Sequence, residues 1–315
     1  MILCVGPTPT MQRTLVFGRL VLDRVNRASE VLETAAGKSV NVARVLSTLG
    51  QEVLATGFVG GRRGDELLEH LDRERIPHDF VRTAVPTRLC TTAIDQSQQQ
   101  HTEMVQEAAA VQAADWEALA ARIARHLERA ALLVLSGSLP TGAAPDFYRH
   151  CVQMAREAGV PAIVDASGPP LRLAMAAQPA LIKPNAAELA AATELPVDSP
   201  AQLRTAIDWA LAQGAKSAVV TLGAAGAIAS DGRGYWRVRP PAIRVLNSMG
   251  AGDAMTAGLA LARLRGQSLV DGCRLGTALA AANCLTLVSG VVNTADVDRL
   301  LGQVVAEPLE AADQG

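Results

Sequence analysis

Asn247–Leu264 reads NSMGAGDAMTAGLALARL, and its first half decides how the rest of the chain is read. Gly250-Ala251-Gly252 can bring successive backbone N–H groups onto one concave point at the start of a long apolar helix. Such a point favours anions, because the first N–H groups of a helix lack partners and its dipole is positive there. Asp253 adds a carboxylate at the same helix start. Two readings of that acid are open. It caps the helix, as acids often do, or it takes a proton from an alcohol attacking a phosphoryl group held in the anion hole. The small residues that follow, Ala254, Thr256, Ala257 and Gly258, point to close approach of a ligand and of packing partners. A dinucleotide fingerprint does not fit, since GxGxxG would need a glycine or alanine where Met255 stands.

Upstream of this stretch, strand and helix patterns alternate. ILCV (2–5), VLATGFVG (53–60), ALLVLSGSLP (131–140), PAIVD (161–165), ALIKPN (180–185), SAVVTLG (217–223) and GAIAS (226–230) read as buried strands. Residues 39–49, 65–74, 145–159, 251–265 and 269–287 read as helices. Apolar strands between helices predict an α/β fold with a mainly parallel sheet flanked by helices. Residues 10–35 and 84–106 lack a helical period and predict a small accessory sheet inserted in one main domain spanning 1–305. Residues 306–315 read as a frayed tail.

A second short stretch, AGKSVN (36–41), looks like the end of a phosphate-binding P-loop. The full motif needs a glycine five residues before Gly37, and Leu32 stands there. Lys38 is then either a solvated first-turn lysine or part of a ligand site. In the second reading Gly37, Lys38 and Asn41 offer free N–H groups, a cation and an amide.

The 315 residues are 49% hydrophobic and 19% charged, a globular composition with ample core material. A net charge of −2 gives no electrostatic case for nucleic acid or an anionic membrane as partner. The five cysteines and five histidines show no spacing typical of a zinc site or disulfide framework. With no signal-peptide pattern and no long apolar span, a cytoplasmic protein is expected.

In this order, eight pieces resemble the PfkB, or ribokinase-like, sugar kinases. They are residues 25–50, which contain AGKSVN, then TGFVGGRRGDEL (56–67), TRLCTTAID (87–95), LVLSGSLPTG (133–142), IVDASG (163–168), LIKPNAAEL (181–189), VVTLGAAGAI (219–228) and VLNSMGAGDAMTAG (245–258). They are most similar to the branch of 1-phosphofructokinases, tagatose-6-phosphate kinases and minor 6-phosphofructokinases. The resemblance implies a Rossmann-type sheet with a small β-sheet lid, which in many relatives pairs two subunits; here it would form a homodimer or close only over ligand. It also implies ATP and Mg2+ as cofactors and a sugar or sugar phosphate as substrate.

Residue by residue, the resemblance makes Asp253 the catalytic base and Gly250, Ala251 and Gly252 the anion hole. Lys183, Asn185, Glu188, Thr221, Gly223, Gly226 and Asn283 fall on the ATP side, with Asn185 and Glu188 handling the metal through water. Gln12, Arg27, Gly37, Lys38, Asn41, Arg88 and Ser138 fall on the acceptor side, where Arg27, Lys38 and Arg88 would clamp a substrate phosphate.

Three departures sit on the acceptor side. Gln12 replaces the family's aspartate, Ser39 replaces a glycine and is expected to hinder backbone approach, and no Gly-Pro follows Glu103. The expected activity is therefore phosphoryl transfer to a phosphorylated ketohexose with shifted acceptor specificity. The alternatives are an unphosphorylated sugar or nucleoside-like acceptor, or an inactive sugar-binding relative.

Overall fold

The computed structural model describes residues 1–309. In chain order its elements begin with β1 (Ile2–Val5), β2 (Thr10–Phe17), β3 (Glu30–Ala36), α1 (Lys38–Thr48), β4 (Val53–Thr56), β5 (Phe58–Val59), α2 (Gly61–Arg73) and β6 (Val81–Arg82). There follow β7 (Arg88–Asp95), β8 (Gln100–Met104), α3 (Ala113–Leu127), β9 (Leu132–Ser136), α4 (Phe147–Glu157), β10 (Ala162–Asp165), α5 (Gly168–Met175) and β11 (Leu181–Ile182). The last are α6 (Ala186–Thr193), α7 (Pro200–Ala212), β12 (Ala218–Thr221), β13 (Ala227–Ser230), β14 (Tyr235–Arg239), α8 (Ala251–Leu264), α9 (Leu269–Asn283), α10 (Thr294–Leu301) and β15 (Val305–Pro308).

The main sheet runs β15-β14-β13-β12-β11-β10-β9-β1-β4. Strands from β4 to β12 are parallel and the last three are antiparallel. Alternation of side chains across the pleat builds a core on each face. On β1, Ile2 and Cys4 join Val40, Leu46, Leu67, Leu261 and Leu279 from α1, α2, α8 and α9. Leu3 and Val5 face the other way, onto Leu119, Ile123, Val152 and Ile207 from α3, α4 and α7. Both faces are covered, so the parallel strands read as unbroken apolar runs.

A separate sheet, β3-β2-β7-β8, stands over the carboxyl ends of the main strands. Helices α8 and α9 cross very closely: a Cβ on Gly258 would lie 2.4 Å from the Cα of Gly276.

The structure redraws some sequence boundaries. The strand expected over 53–60 divides, because Phe58 leaves the main sheet, pairs with β6 and packs edge-on against Trp116. The strand expected over 180–185 stops at Ile182, since Pro184 has no N–H to continue a ladder. The helix expected over 269–287 ends at Asn283, whose Oδ1 accepts the Gly290 N–H and folds the chain back. The tail expected from 306 begins later. Val305–Pro308 pairs antiparallel with β14, and Arg239 and Glu307 form an ion pair at 2.6 Å. Residues 310–315 lie outside the described residues. Among the described residues no helix is long and apolar enough to cross a membrane.

Candidate active site

A cleft of about 1350 Å³ opens between the small sheet and the carboxyl ends of the parallel strands. In α/β sheets this is where ligands bind. Gly137 and Ser138 after β9, Asp165 ending β10, Lys183 and Asn185 after β11, and Thr221 ending β12 all line it. Gly250, Ala251, Gly252 and Asp253 close the other side at the start of α8.

Gly250 caps α8 with a left-handed φ of 82°, and an added Cβ would come 2.9 Å from the Gly290 nitrogen. Only glycine makes this turn without strain. The Ala251 N–H turns back to Ser248 O at 3.2 Å, so Ala251 is not an open donor, contrary to the sequence expectation. The N–H groups of Gly250, Gly252 and Asp253 meet no acceptor among the described residues. The Asp253 side chain does not cap its own helix. Its Oδ2 accepts Asn41 Nδ2 at 2.7 Å instead. Burial, and then the nearby Asp165 carboxylate, push the Asp253 carboxyl up to about 7, against Lys38, the Asn41 hydrogen bond and Lys183.

Behind Asp253 lies a buried charge network centred on Asp165, a residue the sequence reading did not single out. Lys38 Nζ lies 2.9 Å from Asp165 Oδ1 and 3.1 Å from Glu188 Oε1. Lys183 Nζ lies 3.1 Å from Asp165 Oδ2, which also accepts the Thr256 hydroxyl at 2.9 Å. Burial alone would raise the Asp165 carboxyl, but the Lys183 and Lys38 ammonium groups hold it below its ordinary value. Burial likewise opposes charge on Lys38, yet Asp165, Glu188 and Asp253 together raise its pKa. Lys38 is therefore neither a solvated first-turn lysine nor a spare cation. The signal for Asp165 was an acid ending the apolar strand AIVD, at the carboxyl edge of a parallel sheet.

Asn185 and Glu188 form a capping box at the start of α6. Asn185 Oδ1 accepts the Glu188 N–H and Glu188 Oε2 accepts the Asn185 N–H, both at 2.8 Å. The Asn185 oxygen is thus engaged by the helix, and Glu188 supplies the carboxylate. Among the described residues no cluster of three or more His, Cys, Asp or Glu can hold a metal. A single carboxylate fits a magnesium ion kept mostly by water and substrate phosphates rather than by a protein cage.

On the acceptor side, Gln12 Nε2 donates to Thr92 Oγ1 at 2.8 Å. Arg88 Nη2 donates to Thr8 O at 2.9 Å, and Thr8 Oγ1 lies 3.2 Å from Ser138 Oγ. Gly37, Asn41, Gln12, Arg88 and Ser138 all line the cleft. In the segment where the Gly-Pro is missing, the Gln106 backbone oxygen accepts from Arg88 and its side chain from the Leu89 N–H. Glu103 lines the cleft on the same strand as His101, whose Nε2 meets Ser248 Oγ at 2.6 Å across the opening.

Three expectations change. Ser39 does not hinder the cleft, because its side chain is buried against Gly6, where an added Cβ would lie 2.3 Å from Ser39 Oγ. Asn283 does not line the cleft, because its amide is spent on Met249 O and the Gly290 N–H behind the Gly250 turn. Arg27 is exposed in the connection between β2 and β3 and is not among the cleft-lining residues. Thr221, Gly223 and Gly226 do line it, and the turn is closed by Leu222 N donating to Gly226 O at 2.8 Å.

The model of the pfkB family carbohydrate kinases matches residues 1–293. The chain belongs to that family. It is an ATP-dependent sugar kinase. Among solved structures it is similar to phosphofructokinase-2 from Escherichia coli in complex with fructose-6-phosphate, with 27% identity over 96% of this chain and 98% of that one, at a TM-score of 0.87. It shares the fold of a possible 1-phosphofructokinase from Thermotoga maritima, with 24% identity over 98% and 100% and a TM-score of 0.91. It also shares the fold of Arabidopsis thaliana ribokinase complexed with ribose and ATP, with 21% identity over 95% and 98% and a TM-score of 0.75. For a pfkB kinase the open N–H groups and the glutamate at this cleft fit a nucleotide phosphate with its metal ion.

Proposed function

We propose that this kinase transfers the γ-phosphoryl group of ATP to a hydroxyl of a ketohexose phosphate such as fructose 6-phosphate, fructose 1-phosphate or tagatose 6-phosphate. The observation that carries the transfer chemistry is the placement of Asp253. An uncapped, buried carboxylate poised near neutral pH stands beside N–H groups with no protein acceptor. Asp253 takes the proton of the acceptor hydroxyl, and Asn41 holds the carboxylate in place. The Gly252 and Asp253 N–H groups stabilise charge on the transferred group. Lys183 and Lys38, both paired with Asp165, favour the ionised form of Asp253. When bound, Mg2+ neutralises phosphate charge, and Glu188 is the residue to organise it through water.

Arg88 supports the phosphorylated acceptor, as a guanidinium lining the cleft beside Gln12 and Ser138. A second reading, an unphosphorylated acceptor, is favoured by two observations. Lys38 is committed to Asp165 and Glu188, and the cleft carboxylate Glu103 faces Arg88. A homodimer through the small sheet is part of the proposal, supported by Val31 and Met104, which stay 55% and 50% exposed on its two edge strands.

The test is ADP release with Mg-ATP against the three ketohexose phosphates, free hexoses, ribose and nucleosides. Turnover confined to phosphosugars supports the first reading. Turnover only with neutral acceptors replaces it with the second.

A further inference from the structure

Arg44 lies one helical turn beyond Asn41 on α1 and is 5% exposed. Its guanidinium ties four segments together. Nη2 donates to Ala35 O at 2.7 Å, at the end of β3. Nη1 donates to Ser289 O at 3.2 Å, in the turn whose Gly290 abuts Asn41. Nε and Nη2 engage the Glu74 carboxylate just beyond α2. Nη1 also donates to Asn41 Oδ1 at 3.3 Å.

The last contact has a chemical consequence. A guanidinium can only donate, so the amide atom of Asn41 that faces it must be the oxygen. The amide NH2 is then directed at Asp253 Oδ2, 2.7 Å away. In the reverse orientation the NH2 would meet the guanidinium N–H groups and the amide oxygen would meet a carboxylate. Both contacts would be repulsive.

We propose that Arg44 is a positioning residue for phosphoryl transfer: through Asn41 it fixes the hydrogen-bond donor that faces the Asp253 carboxylate. This rests on the reading of Asp253 as the base. The charged groups that face Asp253 are Asp165, Lys38 and Lys183, and Arg44 bonds to none of them. The effect of Arg44 on Asp253 therefore passes through the Asn41 amide.

The test is a carboxyl-carbon NMR titration of ligand-free protein labelled at aspartate, with the Asp253 signal identified by its loss in Asp253→Asn. Asn41→Ala and Arg44→Met are each expected to move the Asp253 midpoint upward by about one unit, the scale of a lost hydrogen bond to a charged group. The double variant is expected to move no further than Asn41→Ala alone. A wild-type midpoint in Arg44→Met, or two shifts that add, would overturn the proposal. If Arg44→Met does not fold, combining it with Glu74→Gln removes the carboxylate left without its partner, and the same two outcomes decide. The titration needs no turnover. Undiminished turnover in Asp253→Asn would remove the base reading while leaving the Arg44–Asn41 coupling measurable.

Discussion

Asn41 Nδ2 donates to Asp253 Oδ2 at 2.7 Å, joining α1 to α8 between residues 212 apart in sequence. The bond ties the first turn of α1 to the helix start that carries the candidate base. The candidate base and the amide that faces it thus come from segments far apart in the chain.

Replacing Asp253 by asparagine is expected to keep ATP binding and lower kcat by about 10²- to 10⁴-fold, the contribution of a positioned base. Steady-state ADP release with Mg-ATP measures it, with nucleotide affinity read separately by calorimetry.

The same carboxyl sets a pH dependence. With its pKa near 7, kcat is expected to rise with pH through about 7, because only the ionised form accepts the proton. The effect on stability has the opposite sense. Between the ordinary 3.8 and about 7 the folded protein holds a proton that the unfolded chain has released, so this group lowers stability as pH rises. Its cost is complete above pH 7, at about 4 kcal/mol. Asp253→Asn should therefore raise the Tm most above pH 7 and least near pH 4, which thermal unfolding across pH tests directly.

Asp165 works the other way. Its carboxyl lies below its ordinary value, so its stabilisation is present at neutral pH and lost as pH falls through the folded value. Asp165→Asn leaves Lys183 buried without its countercharge and is expected to cost about 3–5 kcal/mol. An unchanged urea midpoint would contradict the network described for it.

Arg88→Met separates the two acceptor readings. With a phosphosugar acceptor, the sugar KM should rise by about tenfold or more while kcat is nearly kept. With a neutral acceptor, KM should stay within about twofold.

Gly258→Ala tests the helix crossing. The added methyl meets the Gly276 backbone, not a movable side chain, so a loss of about 1–3 kcal/mol is expected from denaturant unfolding.

Much of this architecture was written locally. The apolar runs ILCV and AIVD, the helical period after Ser39 and the glycines before Asp253 each act within a few residues, so they could be read without a partner. The order of the motifs also placed Gln12, Gly37, Lys38, Asn41, Arg88, Lys183, Glu188 and Asp253 around one cleft. Proline and glycine breaks were the weak points: Pro184 cut a strand short, and the chain turned out of the sheet after Thr56.

What the sequence determined by itself was an alternating α/β chain with a glycine-rich helix start and an acid beside it. Only the tertiary structure decided what each polar group is free to do. Lys38 is neutralised by Asp165 and Glu188, Ser39 is turned inward on Gly6, Asn283 is spent on backbone, and Arg44 orients Asn41. A residue's type fixes how many hydrogen bonds and charges it brings, but the partners that consume them come from distant segments. They meet only when the strand ends, the small sheet and the α8 N-terminus are packed around the same cleft.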